Sequence, residues 1–454
     1  MVNPYIFREY DIRGRVDEDF SKDVVIKLGK AFGTFIHRKG SKELGLSGDV
    51  RTTTPDLIQF FKQGVLSTGV DVINLGITPT PVNYFSMFKL GIDAAVQITG
   101  SHNPPEYNGF KLSHNKKPVF GKDIQTLFEF IKNNDFEIGK GIETRYNILK
   151  AYRKMILEKI NISKPMNVVM DCGNAAGAIN APSIFKELGI GVKELYCNVD
   201  GTFPNHHPDP TVKDNLLDLI DEVKNGDYAC GIAFDGDADR IGVVDETGSI
   251  IPADDLIAIF LPDIIEKGDD ILFDVKCSQA LEEMIVKYGG NPVMWKTGHS
   301  LIKQKMTEIG SKLGGEMSGH IFFADRYFGY DDAIYVAARL VELLSNTEEK
   351  LSKLKSEIPE YFSTPEMRLE IISDEKKFEM TSKAVNYFSN KYDCTTIDGV
   401  RIKFDDGWAL IRSSNTQPAI VCRFEANSEK RMVQIKKLVL DKLKEYGNYK
   451  IENY

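Results

Sequence analysis

The sequence predicts a four-domain α/β protein, in which three tandem α/β units with mixed sheets precede a C-terminal α+β domain around a central cleft. One plan of strand, turn, helix, glycine and strand occurs three times, a polar loop follows each unit, and the plan changes near residue 360. The chain has 454 residues, of which 42% are hydrophobic and 27% charged. That length and composition suit roughly two to four globular domains.

The three units share their hydrophobic periodicity. Short apolar runs predict buried strands, and the segments between them have helical spacing and end at glycine. The units comprise "KELGLSGD", "TPDLIQFFKQGVLSTG" and "VDVINLG"; then "MNVVMD", "GNAAGAINAPSIFKELG" and "IGVKELY"; then "DDILFDVK", "SQALEEMIVKYGG" and "NPVMWKTG". Because ligands of such sheets bind beyond the carboxyl ends of the strands, we expect the three polar loops to face one site.

The last part of the chain has a different order of elements. A strand, "MRLEII", and a helix, "KFEMTSKAVNYFSN", precede the strands "GVRIKF", "WALIRSS" and "AIVCRFEA" and a final helix, "EKRMVQIKKLVLDKLKEYG". This order indicates a small α+β domain, and the charged segment before it is typical of a surface helix and a linker. We place the domains at residues 1–147, 148–250, 251–360 and 361–454.

The composition argues against several classes of protein. The net charge is −9 and no Lys/Arg block occurs, so nucleic-acid binding is not expected. The six cysteines include no C-x-x-C pair, which predicts reduced thiols and no zinc site. The N-terminus lacks the apolar core of a signal peptide, and the longest apolar run, "LIAIFLPDII", is too short to span a bilayer. We therefore expect a soluble, cytoplasmic protein without membrane partners.

Three aspartates alternate in "FDGDADR": Asp235, Asp237 and Asp239. In extended backbone, alternate side chains point the same way, so these carboxylates would converge on a hard divalent cation such as Mg²⁺. One alternative is an EF-hand, because these aspartates and Glu246 match its ligand spacing. Against it, Arg240 stands where that loop needs glycine, and the flanks predict strands. The other alternative, a solvated acidic hairpin, does not explain the apolar flanks.

Ser101 lies in "TGSHNPPEYNGFK", where turn-forming residues follow a predicted strand. The simplest interpretation is a tight turn. The functional interpretation is an exposed serine that carries a phosphoryl group, which requires a cation and hydrogen-bond donors around the transferring oxygens. The three aspartates would hold the cation, and Lys111, Arg13 and Arg240 are the candidate donors.

The loop "GGEMSGH" places Glu316, Ser318 and His320 between glycines. Alternating hydrogen-bonding side chains suit a sugar with several hydroxyls, whereas the alternative is a glycine-rich hairpin with a structural histidine. For His299 in "KTGHSLIK" the alternative to a binding role is a cap on the following helix.

The loop "RSSNTQP" begins with Arg412 at the end of a predicted strand. A guanidinium followed by short hydroxyl and amide side chains can wrap a phosphate with charge-assisted hydrogen bonds. A polar turn is the alternative. The segment "CGNAAGA" lacks the lysine of a phosphate-binding Walker loop, so we interpret it as helix–strand packing.

These loops, in this order over the whole chain, resemble the α-D-phosphohexomutase family and within it the phosphomannomutase/phosphoglucomutase branch. The resemblance is carried by "FREYDIRG", "TGSHNPPEYNGFK", "DGTFPNHHPDP", "FDGDADR", "DVKC", "KTGHS", "GGEMSGH" and "RSSNTQP". The family's four-domain plan agrees with the predicted organisation. One departure is "SGD" at residues 47–49, where family members often have G-R-D; it affects a turn but no catalytic loop.

The resemblance implies a role for each motif. Ser101 is similar to the serine that is phosphorylated in the resting enzyme, and its phosphate would complete the Mg²⁺ shell of Asp235, Asp237 and Asp239. The implied catalytic residues further include Lys111, His320, Arg240, Arg13 and His102. The implied substrate-binding residues are Tyr10, Lys276, His299, Glu316, Met317, Ser318, Gly319, His320, Arg412, Ser413, Ser414, Asn415, Thr416 and Arg423.

The implied activity is the interconversion of hexose 1-phosphates and hexose 6-phosphates, with glucose 1,6-bisphosphate or mannose 1,6-bisphosphate as activator. Lys111 and His320 are both candidates for acid–base work. Phosphoglucosamine mutases usually have Gln at the position of Met317 and R-P-S-G-T-E-P in the last loop, so we expect a hexose without an amino group. A phosphoglucosamine mutase and a non-catalytic protein that binds metal or sugar phosphate stay open as alternatives, and the oligomeric state is open.

Overall fold

The computed structural model describes residues 2–414 and 418–451. Among these residues the strands form four sheets that follow one another along the chain. In the first sheet, residues 12–145, the strands are β1 (Ile12–Arg15), β2 (Glu43–Gly48), β3 (Asp71–Ile77), β4 (Ala94–Ile98), β5 (Tyr107–His114), β6 (Lys117–Pro118) and β7 (Glu143–Arg145). The helices are α1 (Val16–Asp19), α2 (Lys22–Arg38), α3 (Thr54–Leu66), α4 (Thr80–Leu90) and α5 (Lys122–Asn133).

The first sheet is mixed, with the order β1-β5-β4-β2-β3-β7 and with β6 beside β5. Strand β2 is parallel to β3 and β4, whereas β4 and β5 are antiparallel. Side chains of β2 such as Leu44 and Leu46 pack with α2 and α3, while Leu75 of β3 and Ala95 of β4 pack with α4 on the opposite face. Helices thus cover both faces, as α/β patterning predicts.

The second sheet has the order β12-β11-β10-β8-β9. Its elements are α6 (Ile148–Lys159), β8 (Asn167–Asp171), α7 (Ala181–Glu187), β9 (Gly191–Leu195), α8 (Leu217–Asn225), β10 (Cys230–Phe234), β11 (Ile241–Asp245) and β12 (Ile250–Ile251). The helix predicted from Gly173 is shorter than expected: a 3-10 turn at Ala176–Ile179 precedes α7. Pro182 lies in the first turn of α7, where its missing N–H costs nothing.

The third sheet has the order β14-β13-β15-β16. Its elements are α9 (Ala253–Ile264), β13 (Asp270–Asp274), α10 (Gln279–Lys287), β14 (Asn291–Trp295), α11 (His299–Ile309), β15 (Leu313–Gly315), β16 (Ile321–Phe323) and α12 (Ala333–Ser345). Ser278 caps α10 by accepting a hydrogen bond from Ala280 N, and Asp332 caps α12 by accepting one from Tyr335 N. A short helix, α13 (Leu351–Lys355), leads to the last sheet.

The fourth sheet is antiparallel, with the order β19-β20-β21-β22-β18-β23 and with β17 beside β22. Its elements are β17 (Phe362–Ser363), β18 (Met367–Glu370), α14 (Asp374–Ser389), β19 (Cys394–Thr395), β20 (Val400–Phe404), β21 (Gly407–Ser413), β22 (Ala419–Ala426), α15 (Glu429–Lys444) and β23 (Lys450–Ile451). The two long helices pack on it through residues such as Phe388 and Leu443.

The apolar core is continuous through the first three sheets. One cluster of buried side chains runs from Val82 of α4 through Val168 and Phe273 to Tyr335 of α12. The fourth sheet has a core of its own, and a small cluster of Val275, Trp408 and Leu410 joins it to the third. Within the described ranges, no helix combines the length and the apolar character needed to cross a bilayer.

Candidate active site

Segments from all four sheets meet where their strands end. Ser101 lies in the turn between β4 and β5, Asp235 follows β10, Lys276 follows β13, His320 precedes β16, and Arg412 is the last residue but one of β21. The residues form two groups. We call Ser101, Lys111, Asp235, Asp237 and Asp239 the serine–aspartate cluster, and Lys276, Arg412 and Arg423 the basic cluster.

The serine–aspartate cluster is a buried hydrogen-bonded unit. Ser101 Oγ donates to Asp235 Oδ2 at 3.0 Å, and Lys111 Nζ donates to Asp237 Oδ2 at 2.7 Å and to Asp239 Oδ2 at 2.5 Å. Burial alone would lower the pKa of Lys111, but Asp237 and Asp239 raise it well above its ordinary value. The ammonium thus neutralises part of the aspartate charge.

The prediction that Ser101 is exposed is wrong, because its side chain is buried. The backbone of Gly236 covers it so closely that a Cβ there would lie 2.2 Å from Ser101 O. Ser101 also has a φ of +50°, a left-handed conformation that non-glycine residues rarely adopt. The sequence could not indicate this burial because the covering loop comes from the second sheet.

The three aspartates converge as predicted but through a different backbone conformation. Residues 235–239 form a turn, in which Ala238 N donates to Asp235 O and Ala238 has a φ of +60°, and are not extended. One carboxylate oxygen of each aspartate lies within 4.8 Å of the others. Asp237 Oδ1 and Asp239 Oδ1 are buried without a hydrogen-bond partner among the described residues.

Burial, together with Asp237 and Asp239, raises the pKa of Asp235 well above its usual value. Three carboxylates in so small a space repel one another, and unpartnered buried oxygens are costly. A hard divalent cation, which prefers oxygen ligands, would relieve both penalties. The residues present therefore fit a metal ion.

Arg240 and His320 lie beside the serine–aspartate cluster. Arg240 Nε donates to His320 Nε2 at 2.9 Å, and His320 Nδ1 lies 3.0 Å from Asp331 Oδ2. His299 Nδ1 lies 3.5 Å from the same oxygen, and the two imidazole rings are stacked at 5.3 Å. The alternative interpretation of His299 as a helix cap is wrong, because Gly298 occupies the N-cap position of α11.

His102 lies beside Ser101, and the charge of Arg13 acts on His102. His102 Nδ1 lies 3.1 Å from Ser101 Oγ, and burial with the nearby charges of Arg240 and Arg13 lowers the pKa of His102 well below its usual value. Arg13 of β1 donates to Asp11 Oδ2 at 2.6 Å. The imidazole beside the serine is thus kept neutral by burial and by the cationic side chains near it.

The "GGEMSGH" loop is held in place by its backbone and by Glu316. Gly298 N donates to the buried carboxylate of Glu316 at 2.5 Å, and Met317 N donates to Asp274 Oδ1 at 3.3 Å. Gly319 has a φ of +93° and accepts from Ile241 N at 3.1 Å. Ser318 and Met317 are half-buried. The loop is therefore anchored to the second and third sheets, with its middle residues partly accessible.

The basic cluster lies at the junction of the third and fourth sheets. Lys276 Nζ lies 3.2 Å from Glu366 Oε2, Arg412 Nε donates to Asp398 Oδ2 at 2.9 Å, and Arg423 donates to the backbone oxygen of Lys276. Arg412 Nη2 and Arg423 Nε are buried and have no hydrogen-bond partner among the described residues. Buried donors of this kind suit an anion.

The remaining predicted residues fall around this cluster. Tyr10 OH donates to Thr297 O at 2.8 Å, and its ring meets that of His299 edge-on, with the ring centroids 6.4 Å apart. Ser413 Oγ donates to Thr381 Oγ1 at 2.9 Å, and the backbone oxygen of Ser414 accepts from Lys377 at 2.8 Å. Asn415 and Thr416 lie outside the described residues.

Sequence reasoning missed several residues that organise the site, namely Arg51, Asp331, Glu366 and Asp398. Each is a charged side chain next to a strand end or a loop, and each meets its partner through long-range folding. Arg51 lies 50 positions from Ser101, and Asp331 lies 11 positions from His320 in the sequence. The only available signal was a charged residue flanking an apolar run.

Comparisons with known proteins give one family for the whole chain. Models of phosphoglucomutase/phosphomannomutase domains match as α/β/α domain I at residues 4–138, domain II at 150–248, domain III at 252–362 and the C-terminal domain at 363–442. A phosphomannomutase/phosphoglucomutase of Pseudomonas aeruginosa is 44% identical over 441 residues, 97% of this chain and 95% of that protein. A phosphoglucomutase of Neisseria gonorrhoeae is 39% identical over 436 residues, 95% of each chain.

The fold agrees with these relatives. The crystal structure of a phosphoglucomutase/phosphomannomutase family protein from Burkholderia thailandensis has a TM-score of 0.93 at 38% identity, and the match covers 99% of this chain and 100% of that one. The predicted four-domain α/β fold class and the predicted family resemblance are confirmed. The chain belongs to the phosphoglucomutase/phosphomannomutase family, the α-D-phosphohexomutases.

Proposed function

We propose that this enzyme interconverts hexose 1-phosphates and hexose 6-phosphates, with mannose or glucose as the sugar, through a phosphorylated Ser101. The observation that carries the proposal is the position of Ser101 Oγ, 3.0 Å from Asp235, in a buried cluster with two further aspartates and Lys111. A nucleophilic hydroxyl beside a site for a divalent cation is what phosphoryl transfer requires.

Asp235, Asp237 and Asp239 are the proposed ligands of Mg²⁺, with an oxygen of the phosphoserine as a further ligand. The ion would neutralise charge on the transferring phosphoryl oxygens. Lys111 holds Asp237 and Asp239 in place through its two hydrogen bonds. A trace of glucose 1,6-bisphosphate or mannose 1,6-bisphosphate is the proposed activator, because it would phosphorylate Ser101.

A proton must leave the sugar hydroxyl that attacks the phosphoryl group. Of the two predicted candidates we favour His320, whose Nε2 already accepts a hydrogen bond from Arg240, so that its Nδ1 carries the proton facing Asp331. Lys111 donates to two carboxylates. Nε2 of His320 can accept a proton when the hydrogen bond from Arg240 is released, whereas an ammonium has no electron pair to accept one.

The phosphate that the substrate already carries, which is not transferred in this step, would bind the basic cluster, and the sugar hydroxyls would contact Glu316 and Ser318. The bisphosphate intermediate must be bound in two orientations, so the same basic cluster serves both. The fourth sheet joins the third through a small apolar cluster, which supports opening and closing of the last domain during the cycle.

Phosphorus NMR tests the proposed function. The purified protein is incubated with Mg²⁺, a trace of glucose 1,6-bisphosphate and, in turn, the 1-phosphates of mannose, glucose and glucosamine. We expect the 6-phosphate signal to grow with mannose or glucose. The matched control is the Ser101→Ala variant, which keeps the three aspartates proposed as metal ligands. Its turnover rate should be more than about 1,000-fold lower than that of the wild type.

Other outcomes would redirect the assignment. Conversion of the glucosamine compound alone would indicate a phosphoglucosamine mutase, and release of inorganic phosphate would indicate a phosphatase. Binding of Mg²⁺ and sugar phosphate without conversion would indicate a binding protein. Comparable turnover by Ser101→Ala would sink the covalent mechanism. The cytoplasmic location stays a prediction from cysteine usage.

A further inference from the structure

We infer that Arg51 is a positioning residue that holds the loop of Ser101 in the conformation needed for phosphoryl transfer. This inference rests on the proposed function, because it assigns Arg51 a task in the reaction of Ser101. Arg51 lies in the turn after β2, belongs to no motif identified in the sequence, and does not touch the aspartates of the serine–aspartate cluster by hydrogen bonds.

The guanidinium of Arg51 is fully buried, and all three of its nitrogens donate hydrogen bonds, either to carbonyl oxygens of one loop or to one carboxylate. Its side chain is 0% exposed. Nη2 donates to Ser101 O at 2.8 Å and to Asn103 O at 2.5 Å, Nη1 donates to Pro104 O at 2.6 Å and to Tyr107 O at 3.1 Å, and Nε donates to Asp49 Oδ2 at 3.2 Å. The four carbonyl oxygens among these acceptors all belong to the segment that runs from Ser101 to the start of β5.

Asp49 completes the same arrangement from the other side. Its carboxylate accepts from Thr99 Oγ1 at 2.8 Å, from Gly100 N at 3.2 Å and from Thr54 Oγ1 at 2.6 Å. Thr99 Oγ1 in turn accepts from Ser101 N at 2.8 Å. The ion pair of Asp49 and Arg51 thus holds the amides before the serine and the carbonyls after it.

The loop needs such support because its backbone is strained. Ser101 has a φ of +50°, and a non-glycine residue keeps this conformation only when its surroundings enforce it. A turn with buried carbonyl groups also needs donors. A Cβ on Gly100 would lie 2.5 Å from Arg51 Cζ, so the guanidinium packs directly against the backbone before Ser101.

Arg51 also lies where the first and second sheets meet. Its guanidinium is 5.3 Å from the ring centroid of Phe203, and a Cβ on Gly201 would lie 2.2 Å from Val50 O. The second sheet supplies Asp235, to which Ser101 Oγ donates. A shift of the loop would therefore move the serine relative to the aspartates, and a displacement of about 1 Å can reduce a rate about 100-fold.

The test is the Arg51→Lys variant, which keeps the positive charge but replaces a planar fork of five donors by a single ammonium. The matched control is Arg339→Lys, since Arg339 of α12 is also a buried guanidinium and pairs with Asp325, outside the Ser101 loop. We expect kcat of Arg51→Lys to fall about 100-fold, with KM and the affinity for Mg²⁺ near those of the wild type. Amide hydrogen exchange of residues 100–107 should accelerate, while Arg339→Lys retains its kcat.

The outcomes separate this inference from the proposed function. A kcat of Arg51→Lys equal to that of Arg339→Lys, with unchanged exchange in residues 100–107, would overturn the inference. An equal loss of kcat in both variants would also overturn it, because that would mean general destabilisation. A wild-type protein without mutase activity would overturn the proposed function, and the exchange data would still show whether Arg51 holds the loop.

Discussion

The serine–aspartate cluster and the basic cluster are both buried. Among the described residues, the first contains hydrogen-bond acceptors without a donor, and the second contains donors without an acceptor. In the first, the carboxylate oxygens Asp237 Oδ1 and Asp239 Oδ1 have no hydrogen-bond donor among the described residues. In the second, the guanidinium nitrogens Arg412 Nη2 and Arg423 Nε have no acceptor within the part of the chain that the structure describes. Since buried polar atoms are rarely left without partners, the residues of one cluster fit a cation and those of the other fit an anion.

The two clusters also differ in how they are supported. The serine–aspartate cluster joins sheets that share one continuous core, so its geometry is established by folding alone. The basic cluster joins the third and fourth sheets, whose apolar contact is the small cluster of Val275, Trp408 and Leu410. The serine–aspartate cluster is therefore supported by one core, whereas the geometry of the basic cluster depends on how the fourth sheet packs against the third.

The largest effect is expected from the Asp237→Asn variant, which removes one carboxylate from the cation site. The affinity for Mg²⁺ should fall by more than about 100-fold, because loss of a direct ligand costs at least as much as loss of its supporting contacts. Turnover should fall with it. Titration calorimetry with Mg²⁺ measures the affinity, and Asp245→Asn, a buried aspartate at the end of β11, is the control. Tight binding by Asp237→Asn would show that the unpartnered oxygens do not form the cation site.

The next effect concerns the anion site. Arg412→Met should raise KM for the sugar phosphates about 10-fold to 100-fold, since a hydrogen bond to a charged group is worth about 1.5–3 kcal/mol. The affinity for Mg²⁺ should not change. Arg431→Met is the control, because Arg431 lies on α15 of the same domain and pairs with Asp406. An unchanged KM in steady-state kinetics would refute the assignment of the basic cluster to the substrate phosphate.

Much of the fold was predictable because its strands are short apolar runs with clear boundaries. The strands β2, β8 and β13 and the helices α3 and α10 lie within the predicted segments. The helix before β9 was predicted too long, since Gly173 and Asn174 have positive φ and only a 3-10 turn at Ala176–Ile179 precedes the α-helix α7. The helical spacing of apolar residues does not reveal where the backbone adopts a positive φ and turns.

The site was predictable where chemistry is concentrated in one short motif. The aspartates of "FDGDADR" and the serine of "TGSHNPP" are brought together, although the exposed serine and the extended aspartate strand were wrong. Asp398 and Glu366 could not be recognised as site residues from the sequence, because a single carboxylate gives no indication of which cationic side chain it will pair with in the fold. Arg412 and Lys276 supply those partners from β21 and from the third sheet.

A smaller effect, on the free energy of unfolding, should distinguish the ion pair of Lys276 and Glu366 from ion pairs on the surface. Burial opposes ionisation of Glu366, but Lys276 and Arg368 hold its pKa at about 2. A lowered carboxyl pKa stabilises the fold above the unfolded pKa, and that stabilisation is lost as the pH falls through the folded pKa. Glu366→Gln should therefore lower the free energy of unfolding at neutral pH by on the order of 2 kcal/mol.

The difference between Glu366→Gln and the wild type should narrow as the pH falls from about 4.5 towards 2. Denaturant unfolding at several pH values measures it. The control is Glu379→Gln: Lys376 and Lys383 also lower the pKa of Glu379 to about 2, but this carboxylate is on the surface of α14, where solvent screens ion pairs. Equal destabilisation by both substitutions would contradict a special role for the buried pair.

The smallest effect is expected at Met317, which the sequence associates with the choice of sugar. Met317 is half-buried, and its amide is fixed by Asp274, so the side chain can change without moving the loop. A glutamine there would offer an amide oxygen to an amino group on the sugar. Met317→Gln should raise the ratio of kcat/KM for glucosamine 1-phosphate to that for glucose 1-phosphate by less than about 10-fold, as expected for one added contact.

Competition kinetics with both substrates measure this ratio, and Met432→Gln, a half-buried methionine on α15, is the control. An unchanged ratio would mean that the sugar is selected by the basic cluster and the position of the last domain, and not by the "GGEMSGH" loop. A change in KM for both sugars alike would lead to the same conclusion, because uniform binding does not discriminate between substrates. The comparison of the two clusters would then extend from phosphate binding to sugar recognition.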